Sequence, residues 1–148
     1  MGGLHWFKTK QNKGKTEVFD PVRKRYVALT PEEEVRQMVL HHFIEKLGMP
    51  PGLVAVEYSI KLHRLEKRCD IVVFSPQAAP LLIVECKARN VELSQAVLDQ
   101  VIRYNMSLNA PYLLITNGIN QYSIRIQAST ENIEFLDYIP NYAQLTAS

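Results

Sequence analysis

Two carboxylates and a lysine are attached to strongly apolar segments of this chain and could together cleave a phosphodiester. Asp70 precedes the apolar run 71–74, and Glu85 and Lys87 follow the apolar run 81–84. In a strand, side chains two positions apart point to the same side, so Glu85 and Lys87 share a face. This pattern predicts a metal-assisted phosphodiesterase site at the ends of two neighbouring strands.

A hard divalent cation suits such a site because it neutralises phosphate charge and makes hydroxide accessible near neutral pH. Mg²⁺ prefers carboxylate, carbonyl and water oxygens, and Mn²⁺ is an expected substitute. Asp70, Glu85 and the backbone carbonyl of Cys86 are the predicted ligands, and Lys87 would orient water or stabilise charge on the phosphate. The spacing alone also fits a sheet-end salt bridge between Glu85 and Lys87 without any chemistry.

The best-marked helix precedes these strands. Thr30 can cap it, Pro31 suits its first position and Glu33 would complete a capping box. Apolar residues then recur at helical spacing until Gly48 ends the helix. Glu34 lies at the margin of that apolar stripe, so we expect its carboxylate to reach inward towards the site.

The remaining pattern predicts a mixed α/β sheet. Residues 17–19 and 25–27 read as short strands around a turn, and 63–68 as a hairpin connection. Asn117 and Gly118 form a hairpin-type turn, and the state of the segment 133–142 is open. The main elements are then the helix at 30–48, strands at 54–62, 69–74 and 81–87, a helix at 93–108, and strands at 112–116 and 122–126.

Five short stretches in this order resemble the PD-(D/E)xK nuclease superfamily, and more narrowly the N-terminal nuclease domain of type I restriction enzyme R subunits and its small stand-alone relatives. The resemblance covers roughly residues 16–127. It implies a restriction-endonuclease-like fold, a mixed β-sheet core (αβββαβ) flanked by helices. The matching stretches are 30–37, 68–73, 83–88, 100–104, and 110–112 with 116–118.

The resemblance also implies roles for individual residues. Asp70 and Glu85 would be metal ligands, Lys87 the catalytic lysine, and Glu34 the helix carboxylate that holds a metal-bound water or a second ion. Cys69 stands where the superfamily pattern has proline, which supplies no ligand.

Nucleic-acid contacts are expected from the second helix and from the predicted hairpin. Gln100 and Tyr104 match a Gln-xxx-Tyr motif, and their spacing puts both on one helix face. A surface amide and a core aromatic are the plain readings of these two residues. Arg68 and Lys61 belong to a basic cluster that could contact phosphates.

Composition fits an ordinary soluble domain, with 148 residues, 47% hydrophobic and 22% charged. We expect a basic, loosely docked leader at 1–15 and one nuclease domain at 16–148. No apolar run approaches membrane-helix length, and no signal peptide is evident. Cys69 and Cys86 read as reduced core thiols, which favours the cytoplasm. No phosphate-binding Gly-x-x-x-x-Gly-Lys-Ser/Thr loop is present, so no ATP site or motor is expected in this chain.

The net charge of +2 is unevenly distributed: residues 1–68 carry 13 Lys and Arg against 8 Asp and Glu, and 69–148 carry 4 against 7. The carboxylates, the lysine and the resemblance to type I restriction R-subunit nuclease domains together imply a Mg²⁺-dependent DNA endonuclease with DNA as partner. A homodimer would explain two-strand cutting. The alternative is a catalytically inactive nuclease-fold module that binds nucleic acid or protein, and a remoter one is a chance match on a generic α/β domain.

Overall fold

The computed structural model describes residues 4–62, 64–106, 108–127, 129–130 and 132–147. A single turn of 3₁₀ helix at Pro51–Leu53 precedes the large sheet. The strands and helices, in chain order, are β1 (Thr9–Asn12), β2 (Lys15–Asp20), β3 (Arg25–Ala28), α1 (Pro31–Glu45), β4 (Val54–Leu62), β5 (Leu65–Phe74), β6 (Pro80–Cys86), α2 (Gln95–Met106), β7 (Tyr112–Thr116), β8 (Gln121–Gln127), β9 (Asn132–Leu136) and α3 (Tyr142–Ala147).

A six-stranded mixed sheet forms the body of the molecule, in the order β4-β5-β6-β7-β8-β9. Only the pair β6 and β7 is parallel among these neighbours, and α2 makes the crossover between them. β6 and β7 are buried nearly throughout, as expected for strands covered on both faces. The predicted αβββαβ core is thus confirmed as α1, β4 to β6, α2 and β7.

Two apolar cores lie on opposite faces of this sheet. α1 and α3 cover one face, where Phe43 and Leu145 pack with strand residues such as Val84 and Leu114. The amphipathic helix α2 covers the other face through residues such as Ile102. No helix in the described ranges is long and apolar enough to cross a membrane.

A separate three-stranded antiparallel sheet, in the order β1-β2-β3, precedes α1. The sequence predicted only a leader at 1–15, but β1 lies within it. All four residues of β1 are exposed, so no hydrophobic alternation marks the strand. Backbone pairing such as Thr9 with Val18 holds it in place instead.

Other departures from the predicted elements have equally local causes. β5 begins at Leu65, so most of the predicted connection at 63–68 is strand; His63 lies outside the described residues. The open segment at 133–142 contains β9, which pairs with β8. Thr30 Oγ1 does accept a hydrogen bond from Glu33 N, at 3.0 Å. The reciprocal half of the capping box is absent, since Thr30 N–H bonds Ala28 O.

The predicted turn at Gly118 gives a stability test, because the residue has φ +85° and a Cβ there would lie 3.2 Å from Val35 Cγ2. Gly118→Ala therefore adds crowding to backbone strain. Gly14 has φ +78° but no atom within 4 Å of such a Cβ, so Gly14→Ala isolates the strain, about 1–2 kcal/mol. We expect a larger loss of unfolding free energy in urea for Gly118→Ala. Equal losses would contradict the proposed contact with α1.

Candidate active site

Asp70, on β5, is fixed by two donors from different elements. Its Oδ1 accepts a hydrogen bond from Arg36 Nη2 of α1 at 2.8 Å, and its Oδ2 accepts one from Cys86 N at 2.7 Å. The second bond ties β5 to the end of β6. Asp70 therefore lies beside Cys86, the residue that precedes Lys87.

Glu85, at the end of β6, is buried and forms an ion pair with Lys67 of β5. Lys67 Nζ lies 2.9 Å from Glu85 Oε1 and 4.6 Å from the centroid of the Tyr104 ring. Burial raises the pKa of Glu85, while Lys67 opposes that shift and Asp70 adds to it. Burial also depresses the pKa of Lys67, but the charge of Glu85 raises it overall.

Lys87 follows β6 directly and is half-buried. Its backbone N–H donates to Thr116 O at 2.8 Å, which extends the pairing of β6 with β7 by one residue. Within the described ranges no carboxylate oxygen lies within 4.0 Å of its ammonium, yet its charge acts on both Glu85 and Glu32. Lys87 thus borders the acidic groups without being neutralised by one of them.

On α1 it is Glu32 that lines this pocket, whereas Glu34, the residue expected to reach inward, is not part of the lining. Glu34 is half exposed and pairs with Arg89 Nε at 3.1 Å. Glu32 lies 3.4 Å from Arg36 Nη2, and burial, then the charge of Asp70, raises its pKa. Residues two positions apart on a helix point about 200° away from each other, whereas residues four positions apart lie on nearly the same face. Glu32 therefore shares the face of Arg36, and Glu34 does not.

Arginines and carboxylates form a network behind the pocket. Arg36 Nη1 also contacts Glu33 Oε1 at 2.6 Å and Glu57 Oε1 at 3.2 Å. Burial lowers the pKa of Arg36, but its acidic partners raise it overall. Arg23 of the N-terminal sheet reaches the same two glutamates, at 2.8 and 3.7 Å. Arg68 Nη2 binds Glu57 Oε2 at 2.6 Å. Ion pairs therefore link the N-terminal sheet and α1 to residues that line the pocket.

These groups surround an open pocket of about 310 Å³, lined by Glu32, Arg36, Glu57, Arg68, Cys69, Asp70, Glu85, Cys86 and Lys87. The pocket brings Asp70, Glu85 and Lys87 together. Carboxylate oxygens such as those of Asp70 and Glu85, which line the pocket, are ligands of the type that Mg²⁺ prefers. Across the described residues, no group of three or more His, Cys, Asp or Glu side chains is arranged so that it could hold a metal ion.

The predicted nucleic-acid residues divide into two groups. Arg68 lines the pocket, whereas Tyr104 is an exposed residue of α2 whose ring centroid lies 4.6 Å from Lys67 Nζ. Gln100 is an exposed residue of α2, and Lys61 is exposed on β4, opposite Glu66 in the strand pairing. Neither Gln100 nor Lys61 is among the described residues that line the pocket.

Sequence reasoning missed Arg36, Glu57 and Lys67, which hold the predicted groups in place. The spacing of Arg36 from Glu32 and Glu33 was a usable signal, because residues three and four apart meet on a helix. The pairs that Asp70 forms with Arg36 and that Glu85 forms with Lys67 link different elements. Those pairs therefore have no signature in local spacing.

Comparison with known proteins gives consistent results. A family model described as "Type I restriction enzyme R protein N terminus" matches residues 31–140. The type I restriction enzyme EcoAI endonuclease subunit of Escherichia coli is 30% identical over 74 residues, which is 50% of this chain and 9% of that protein. The chain therefore spans less than a tenth of that relative.

Two solved structures share the fold. A fragment assigned as an HsdR subunit of a type I restriction enzyme from Vibrio vulnificus YJ016 has a TM-score of 0.55 and 19% identity, over 78% of this chain and 24% of that one. A protein assigned to the DUF820 nucleases from Anabaena variabilis has a TM-score of 0.50 and 12% identity, over 96% of this chain and 86% of that one. These likenesses support the restriction-endonuclease-like fold.

The ion pair between Lys67 and Glu85 predicts a pH-dependent stability defect. Lys67→Met leaves a buried carboxylate without its cation, at a cost of about 2 kcal/mol when Glu85 is ionised. The variant raises the pKa of Glu85 further above its unfolded value. The defect is therefore small below that unfolded value and grows as the pH rises through the folded pKa. Thermal unfolding at pH 5 and pH 8 measures it, and a defect that is equal or larger at pH 5 would contradict the assignment.

Proposed function

The chain belongs to the family described as "Type I restriction enzyme R protein N terminus", and on that premise we propose that it is a Mg²⁺-dependent DNA endonuclease. The observation that carries the proposal is the meeting of Asp70, Glu85 and Lys87 in one open pocket. Its reaction would be hydrolysis of a phosphodiester bond. Mn²⁺ is expected to replace Mg²⁺, since both are hard, oxygen-binding ions.

Asp70, Glu85 and the carbonyl of Cys86 would hold the ion. When bound, the ion supplies positive charge for the scissile phosphate and lowers the pKa of water. The hydrogen bond from Cys86 N–H to Asp70 orients one ligand. Lys67 orients Glu85, the other carboxylate ligand, through their ion pair. Fixed ligands of this kind lower the cost of assembling the site.

Lys87 would stabilise the charge that develops on the phosphate. Its half-buried position and its distance from acidic partners in the described chain leave the ammonium able to meet an anionic substrate. A cation held close to the pocket wall acts in a medium less screened than bulk water. Glu32, which lines the pocket and whose pKa is raised, would accept a hydrogen bond from the attacking water.

Nucleic-acid contacts follow from the rim of the pocket. Arg68 is exposed there and can meet a phosphate, with Gln100, Tyr104 and Lys61 as further proposed contacts. Cutting both strands would require two copies of a single-site nuclease, and we propose a homodimer for that step. The buried free thiols of Cys69 and Cys86 fit a reducing compartment such as the cytoplasm.

One observation favours the alternative of an inactive binding module. Both carboxylates are already ion-paired, Asp70 with Arg36 and Glu85 with Lys67. Cations at these positions can supply the positive charge that a bound metal ion would otherwise supply. Salt-dependent DNA binding without cleavage, unaffected by Asp70→Ala, would support this alternative.

Lys87→Ala provides the direct test of activity. We expect the cleavage rate of supercoiled DNA in Mg²⁺ to fall by about 10²–10³-fold, because charge stabilisation in the transition state is lost. DNA binding should be largely retained. Wild-type protein in EDTA is the control. No cleavage by the wild type in either Mg²⁺ or Mn²⁺, or undiminished cleavage by Lys87→Ala, would contradict the proposal.

Glu32→Gln and Glu34→Gln form a matched pair that tests which helix carboxylate serves the site. Both lie in the first turn of α1 and lose the same charge, but only Glu32 lines the pocket. We expect Glu32→Gln to lower the cleavage rate by about tenfold or more, in the range for a group that handles protons. Glu34→Gln should cleave at nearly the wild-type rate. The reverse pattern would restore the role that the resemblance implied for Glu34.

A further inference from the structure

The excess of positive over negative charge in this protein lies in its N-terminal sheet, outside the region that the family model matches. Residues 4–30 carry seven Lys and Arg against two Asp and Glu, whereas 31–148 carry ten against thirteen. The family match begins only at residue 31. The part of the chain with the catalytic pocket is therefore net negative, although its proposed substrate is a polyanion.

We propose that the N-terminal sheet is a binding surface for the backbone phosphates of duplex DNA that extends from the catalytic pocket. This inference rests on the proposed function, because the duplex is the one to be cleaved. The sheet would hold phosphates on one side of the scissile bond. It would also supply the positive charge that the rest of the chain lacks.

The sheet is anchored beside the pocket. Asp20 is fully buried and accepts hydrogen bonds from Val22 N and Arg23 N in the turn between β2 and β3, at 2.7 and 3.1 Å. The Arg23 side chain then pairs with Asp20 and crosses to Glu33 of α1 at 2.8 Å. This turn is consequently held against the network that positions Asp70.

A groove leads from the pocket along the edge of this sheet. It has a volume of about 690 Å³ and lies between β3, which contributes Arg25 and Tyr26, and the start of α1. It shares Glu32, Arg36 and Glu57 with the catalytic pocket. A backbone leaving the pocket would therefore pass β3 first. Both shared carboxylates, Glu32 and Glu57, pair with Arg36, which limits their repulsion of phosphate.

Four cations of the N-terminal sheet that have no nearby carboxylate in the described chain lie at its two ends. Lys13 and Lys15 lie at the turn between β1 and β2, and Lys24 and Arg25 at the turn between β2 and β3; all four are exposed. In the described chain no carboxylate oxygen lies within 4.0 Å of these four side chains. The six residues of β2 separate the two ends by about 17 Å, which is about five base pairs of B-form DNA.

The face between the two ends joins a cation to aromatic rings. Lys10 Nζ lies 4.2 Å from the centre of the Tyr26 ring, and that ring packs edge-on against Phe19 at 5.3 Å. Lys10 also lies 3.9 Å from Glu17, the only carboxylate on this face within the described sheet. The ring contact keeps the Lys10 stem against the sheet, with its ammonium at the surface.

A triple variant, Lys13→Asn/Lys15→Gln/Lys24→Asn, tests the surface without disturbing the fold. Lys13 and Lys24 have φ of 52° and 57°, which asparagine adopts more readily than most residues. Binding of a fluorescent 20-base-pair duplex is followed by anisotropy between 50 and 300 mM NaCl, in the Lys87→Ala background to prevent cleavage. We expect at least a tenfold weaker Kd at 150 mM and a salt slope reduced by about 0.9 for each lost contact.

Lys46→Gln is the control, since Lys46 is an exposed cation at the opposite end of α1, about 20 Å from Glu32. It should leave both Kd and salt slope unchanged. If the wild type cleaves DNA and the triple variant binds duplex as the wild type does, the surface proposal is overturned and the proposed function stands. If the triple variant loses only single-stranded RNA binding, the duplex assignment is overturned. A wild type that neither binds nor cleaves DNA overturns both proposals.

Discussion

The buried guanidinium of Arg36 is the interaction on which the arrangement of this site depends. It contacts Asp70 of β5, Glu33 of its own helix and Glu57 of β4. A guanidinium suits this position because its donors are planar, fixed in direction and always charged. These carboxylates, together with Glu32, offset the cost of burial and raise its pKa overall. The orientation of Asp70 therefore depends on where α1 lies against the sheet.

The same network explains why the N-terminal sheet and the catalytic pocket form one structural unit. Arg23 brings another guanidinium to Glu33 and Glu57, so both glutamates bridge Arg23 and Arg36. Removing either arginine would leave carboxylates partly unpaired in a poorly hydrated place, which costs more than the pair contributes. Rigidity in the pocket and attachment of the sheet are thus two results of one set of contacts. The surface proposed to bind DNA is held by these contacts in a fixed relation to the pocket.

The sequence pattern predicted the helices and strands that depend on local spacing. It did not predict features that depend on contacts between residues far apart in the chain. Alternation and apolar runs predicted the central strands, and the two cores confirm which strands are buried on both faces. The sequence points to Glu34 because it borders an apolar stripe. The face of α1 that meets the pocket is instead the face of Arg36, which binds Asp70, a residue 34 positions away in the chain. β1 was missed because its side chains are all exposed, so only backbone pairing specifies it.

A local distortion of the sheet completes the explanation of how Asp70 reaches the pocket. In a regular strand, Cys69 and Ile71 would face the same side, yet Cys69 belongs to the core under α2 and Ile71 to the core under α1. The change of side occurs at Asp70, opposite Glu57, which has φ +52°.

Such a conformation costs a non-glycine residue about 1–3 kcal/mol and persists only where the surroundings impose it. Here the surroundings are the three arginines that hold the Glu57 carboxylate and lower its pKa. The strain at Glu57 is therefore maintained by the same charges that fix Asp70. The distortion turns β5 so that Asp70 faces α1, while Lys67 remains beside Glu85.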